Sequence, residues 1–142
     1  MNLDRRFQLC NIWCSKRYPP FHTVFLFVMC VVIYETDSGI SLSIPPIKSQ
    51  DWWYYFGTAL SHFSRNHLLS NISGIILFGT LLEIVHGTFA SIFIYWIASG
   101  TGSLAEAQWN TGRVIYTGAS PGVFAFSGAY LAHVILNWNE AP

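Results

Sequence analysis

Charge is what this chain lacks. Only 10% of its 142 residues are Asp, Glu, Lys or Arg, against roughly 25% in an ordinary soluble domain. The seven basic and seven acidic side chains cancel to a formal net charge of zero, which leaves no electrostatic footprint for nucleic acid, so none is expected as a partner. Cysteine is scarce too. Cys10, Cys14 and Cys30 form no disulfide framework, and the Cys10 and Cys14 pair has no further ligands beside it to complete a zinc site. Unpaired cytoplasmic thiols are the simplest reading, with juxtamembrane acylation next. No metal or cofactor is expected. The first 20 residues, which end in Pro19-Pro20, also lack the apolar centre of a secretory signal peptide.

Apolar length is what the chain has instead. Hydrophobic residues make up 52% and aromatic residues 17% of it, and uncharged stretches cover 18–34, 66–82, 84–105 and 114–139. A helix crosses a bilayer with roughly 17 to 25 mainly apolar residues. The expected fold is therefore all-α: a multi-pass transmembrane bundle with spans near 21–37, 66–86, 88–106 and 119–138. Residues 1–20 are read as a cytoplasmic tail, because Arg5, Arg6, Lys16 and Arg17 precede the first span and basic residues mark the cytoplasmic side. Lys48, Arg65 and Arg113 fall on the far side and moderate that bias. The protein is expected to be integral to a membrane, with the lipid bilayer as its surroundings and its N-terminus in the cytoplasm.

Residues 38–65 form an external loop in this reading. Pro45-Pro46 cannot sit inside a regular helix, and the aromatic cluster from Trp52 to Phe56 has the composition of a headgroup-level belt. A second external loop is expected over 107–117. His22, near the start of the first span, is read as interfacial.

Polar residues inside the apolar runs carry the functional signal, since each is costly in lipid unless it finds a partner. His67 and Asn71 are four apart, so on a helix they share one face about 6 Å apart along the axis. Interhelical hydrogen bonding is the structural alternative. Asn71-Ile72-Ser73 matches a glycosylation acceptor by accident of spacing. Glu83 and His86 stand at the other end of that run, before Gly87, and are read as structural residues that cap or tie the turn. Gly100, Gly102 and Ser103 permit close helix contact. Ser120 lies between Gly118 and Gly122 at the mouth of the last run. A hydroxyl presented on such a turn is a candidate nucleophile if a base and an oxyanion site are in reach. Gly118-x-Ser120-x-Gly122 also satisfies the nucleophile elbow of a soluble hydrolase, but four spans leave no room for the sheet that motif needs.

Several of these residues occur together in an order that resembles the rhomboid family of intramembrane serine proteases. The resemblance begins at Trp53. It continues through His62, the His67 and Asn71 pair, Leu82-Glu83-x-x-His86-Gly87, Gly102-Ser103-Leu104 and Gly118-Ala119-Ser120, about two-thirds of the chain. The basic tail before the first span looks like that of animal-type members. The resemblance implies that residues 21–142 are a partial rhomboid domain, four spans of a six- or seven-span fold. It implies that Ser120 is the nucleophile, that His67 and Asn71 form the oxyanion hole with the Ser120 backbone N–H, and that single-span membrane proteins are the substrates. A non-catalytic rhomboid-like protein that binds transmembrane clients is the alternative.

The chain departs from the family pattern at named positions. Pro121 stands where glycine is usual and restricts the backbone of Ser120. Phe124 stands where tyrosine is common, and Tyr54 replaces the arginine that usually follows the tryptophan. The family's general base is a histidine on the sixth span. His133 cannot take its place, because thirteen residues along one helix separate it from Ser120 by about 20 Å. His67 could reach Ser120, but the resemblance gives it to the oxyanion hole. The fragment is therefore expected to be inactive alone.

Overall fold

The computed structural model describes residues 18–36, 52–109 and 118–138, all of them helical or in short connections. Among these residues there is no strand. Five helices are numbered in chain order: α1 (Phe21–Glu35), the short α2 (Tyr54–Gly57) running into a 3₁₀ turn (Thr58–Leu60), α3 (Arg65–His86), α4 (Thr88–Trp109) and α5 (Ser120–Leu136). Arg5, Arg6, Cys10, Cys14, Lys16, Arg17, Lys48 and Arg113 lie outside the described residues.

Of the described helices, α3 alone is both long and apolar enough to cross a membrane. Helices α1 and α5 are apolar but shorter, so length and hydropathy match the four-span expectation in one helix. α3 starts with Ser64 as its N-cap, whose Oγ accepts the His67 backbone N–H at 3.2 Å. Its middle is a π turn over Ile75–Gly79. In an unbroken α-helix the 12 steps from Asn71 to Glu83 would leave them about 120° apart around the axis. A π turn absorbs roughly one residue of rotation and brings them to within about 30°. Both are buried, so this one irregularity lets opposite ends of α3 turn polar groups into the same bundle.

Glu83 shows why the bundle closes at that end. Its side chain is fully buried. Oε1 accepts the His22 backbone N–H at 2.8 Å and the Thr88 hydroxyl at 2.7 Å, and Oε2 accepts the Thr23 backbone N–H and the Thr23 hydroxyl, each at 2.9 Å. The first N–H groups of a helix have no intrahelical acceptor. Pro20 supplies no side-chain cap for α1, so Glu83 caps α1 from another helix and also ties down the start of α4. Gly87 makes the α3–α4 turn at φ +85°, where an L side chain would be strained.

Two sequence readings change here. His22 is not at an exposed surface: it is buried, with Nδ1 2.8 Å from Ser91 Oγ and its ring edge-on to Tyr95 at 5.7 Å. The described part of the 38–65 loop packs into the bundle, where Thr58, Ala59 and Ser61 are buried and the Tyr95 hydroxyl donates to the Ala59 carbonyl at 2.8 Å. Helix α4 also runs through Ala107 to Trp109, where a loop was expected. Cys30 is a buried, unpaired thiol in the core of α1.

Replacing Glu83 by Ala leaves four donors without an acceptor. We expect Glu83→Ala to cost about 3–5 kcal/mol, and Glu83→Gln less, because the amide keeps one acceptor oxygen. The unfolding free energy of the micellar protein in a sodium dodecyl sulfate titration measures both.

Candidate active site

Gly118 is the hinge of the site at the opposite end. Its φ of +123° is open to glycine but strained for any L side chain. A methyl group there would meet His67 Cε1 at 2.5 Å and Nε2 at 2.7 Å, and Asn71 Nδ2 at 3.6 Å. The two polar residues of α3 are thus gathered at one turn, and Ser120, half-buried, begins α5 two residues later. Asn71 is buried, and its Nδ2 has no hydrogen-bond partner. His67 Nδ1 is likewise buried and unpartnered.

A backbone contact holds this turn in place. The Gly118 N–H donates to the Thr58 carbonyl at 2.8 Å, while Thr58 Oγ1 lies 2.8 Å from Ser103 Oγ on α4. Sequence reasoning missed Thr58. Its decisive group is a main-chain carbonyl, which has no residue signature. Pro121 sits in the first turn of α5, where its missing N–H would have had no partner, and Ser120 directly before it is the first helical residue. A methyl group on Gly102 would lie 2.7 Å from Pro121 Cβ, so this close contact joins α4 to α5 beside Ser120.

The remaining histidines divide between the two ends. His133 stacks edge-on against His86 with ring centroids 4.8 Å apart, at the Glu83 end of the bundle and away from Ser120. His62 stands at the Ser120 end, 5.2 Å from His67 between ring centroids. Burial pushes the His62 imidazole down to about 4, the nearby His67 pushes the same way, and a backbone interaction at Leu60 partly opposes them. His62 is therefore neutral near pH 7. Among the described residues no group of three or more His, Cys, Asp or Glu side chains could hold a metal ion.

What this geometry offers is a serine two residues beyond a turn against which amide and imidazole side chains stand, and donors aimed at a developing charge are worth most where water is scarce. Residues 49–142 match the model of the rhomboid domain. The chain belongs to the rhomboid family. It is 36% identical over 108 residues to rhomboid-related protein 1 of Caenorhabditis elegans, covering 76% of this chain and 30% of that protein. It is 32% identical over 107 residues to rhomboid-related protein 2 of Mus musculus, covering 73% and 35%. To the rhomboid protease GlpG of Haemophilus influenzae it is 29% identical over 119 residues, covering 78% and 57%. The chain thus spans about a third of the animal relatives and 57% of the bacterial one. No solved structure gives a significant match. Rhomboids are integral membrane proteins that act on membrane proteins in the bilayer, and the family includes serine proteases such as GlpG.

Two outcomes follow from this site. Gly118→Ala is expected to cost roughly 1–3 kcal/mol through backbone strain alone, with displacement of His67 adding to that, as read by the same unfolding titration. The unfolded chain protonates His62 below pH 6.5, whereas the folded chain resists until about pH 4. Stability is therefore lost as pH falls through that window, by on the order of 3 kcal/mol at its acid end. Unfolding free energies from pH 7.5 to pH 4 should fall less steeply for His62→Phe than for the wild type.

Proposed function

We propose that this chain carries the nucleophile and oxyanion half of an intramembrane serine endopeptidase that cleaves transmembrane segments of single-span membrane proteins near their outer boundary. The observation that carries this reading is the buried, unpartnered Asn71 amide beside His67, both against the turn that leads into Ser120. A polar group left unpaired in a water-poor interior costs stability. It is accounted for if its partner arrives only with the reacting carbonyl.

In this mechanism Ser120 Oγ forms a bond to the carbonyl carbon, and the carbonyl π pair moves onto oxygen. The Asn71 amide, a His67 N–H and the Ser120 backbone N–H receive the resulting oxyanion. The serine proton passes to a base, which the rhomboid resemblance implies would stand on a further span. Of this chain's own histidines, His86 and His133 pair at the far end. The 142 residues alone are accordingly proposed to cleave nothing. α1, α3, α4 and α5 are taken as the four spans, with the 1–20 tail cytoplasmic and the aromatic segment of α2 at the outer surface.

A second reading has support of its own. The position of His133 and the presence of Phe124 and Pro121 suit a rhomboid-like protein that binds transmembrane clients without cutting them. The discriminating experiment is labelling with a fluorophosphonate probe in micelles at alkaline pH, where hydroxide supplies the base that this chain is proposed to lack. The enzyme reading expects Ser120 to react faster in the folded chain than in the heat-unfolded chain. Labelling should vanish in Ser120→Ala and slow by about 10²-fold in Asn71→Ala. Equal labelling of folded and unfolded chain would leave client binding as the function.

A further inference from the structure

We propose that His62 is a positioning residue that decides which nitrogen of His67 carries the proton, an inference that rests on the reading of His67 as an oxyanion donor. A neutral imidazole has one N–H and one lone pair, and the group bonded to one nitrogen fixes the role of the other. His67 Nε2 faces the Gly118 turn, 2.7 Å from where a methyl group would stand. To donate there it must bear the hydrogen, which leaves Nδ1 as the acceptor. Nδ1 is buried and makes no hydrogen bond.

The surroundings of His67 leave one donor for it. Phe63 packs against the ring at 4.7 Å and offers nothing polar. Ser64 Oγ accepts the His67 backbone N–H and makes no hydrogen bond to Nδ1. Asn71 Nδ2 faces the same Gly118 turn as Nε2, so it sits on the wrong side of the ring. His62 remains. Its buried ring interacts with the Leu60 backbone, but neither ring nitrogen makes a well-formed hydrogen bond, and the ring lies 5.2 Å from that of His67 at an interplanar angle of 64°.

That separation suits an imidazole–imidazole hydrogen bond. An N–H···N contact of about 3.0 Å, with about 1.1 Å from each nitrogen to its ring centre, gives roughly 5.2 Å between centroids. The proposal requires the His62 ring to turn about its Cβ–Cγ bond so that its N–H aims at His67 Nδ1. The bond satisfies two orphaned groups at once and fixes the donor tautomer of His67 before any substrate carbonyl arrives.

The test is long-range ¹H–¹⁵N correlation NMR on the intact 142-residue chain, labelled at histidine, in micelles. The wild type is expected to show His67 as a single tautomer protonated at Nε2, with a nitrogen–nitrogen coupling across the bond to His62. His62→Phe keeps the ring volume and removes the donor, so His67 should become a mixture of both tautomers. His62→Gln restores a donor and should restore the single form, while His86→Phe should change nothing at His67. A wild-type His67 protonated at Nδ1, absence of the coupling, or an unchanged tautomer in a folded His62→Phe would overturn the proposal. The wild-type spectrum decides the matter even if the Phe variant fails to fold. Fluorophosphonate labelling of Ser120 is scored separately: a tautomer set by His62 without labelling sinks the protease reading alone, and labelling without that dependence sinks the positioning role alone.

Discussion

One buried carboxylate organises the described bundle. Glu83 collects four donors from the starts of two other helices, and a charge in that position is tolerable only because every acceptor site on it is used. The arrangement serves as an N-cap delivered across the bundle. Helix α1 begins after Pro20 without a capping side chain of its own, so its first N–H groups would be orphaned in a medium that offers no water. Tying α1, α3 and α4 together at one point fixes their relative depth, and the site depends on that depth.

The π turn of α3 is the link between the two ends. With α-helical winding throughout, a helix that presents Glu83 to α1 and α4 would turn Asn71 well away from the start of α5. The rotation taken up by the π turn at Ile75–Gly79 reconciles the two demands. Close packing then holds the register, since a methyl group on Gly79 would stand 3.0 Å from Phe126 of α5 and 3.1 Å from the Thr23 hydroxyl of α1. The same Thr23 side chain donates to Glu83, so the helical irregularity and the carboxylate anchor share a residue.

How much of this was legible in the sequence depends on the kind of signal each residue leaves. The helical class follows from long uncharged runs, because lipid forces a chain to satisfy its own backbone. The four-residue spacing of His67 and Asn71 is a side-chain periodicity, and it can be read without a structure. The role given to Glu83 as a tie at the turn was also readable, although its partners on α1, His22 and Thr23, 61 and 60 residues earlier in the chain, were not. Thr58 and the π turn left no trace: one acts through its carbonyl and the other is a backbone geometry forced by packing. His22 was misread for a related reason. A histidine near the start of an apolar run usually faces the interface, and only the tertiary contact with Ser91 and Tyr95 takes it inside.

The orphaned groups near Ser120 and the saturated carboxylate at Glu83 are two halves of one physical argument. Both ends carry buried polar atoms, and burial without a partner is costly in either place. At the Glu83 end the cost is cancelled within the fold, so those residues account for stability. Near the Ser120 turn, Asn71 Nδ2, His67 Nδ1 and both His62 ring nitrogens are left unpaired, so the fold alone does not account for them. The backbone between them carries Gly118 in a conformation that only glycine adopts without strain and Pro121 packed closely on Gly102. In the proposed reading, the Asn71 amide left unsatisfied there is available to a charge that appears only during reaction. The fold spends at one end the stability it secures at the other.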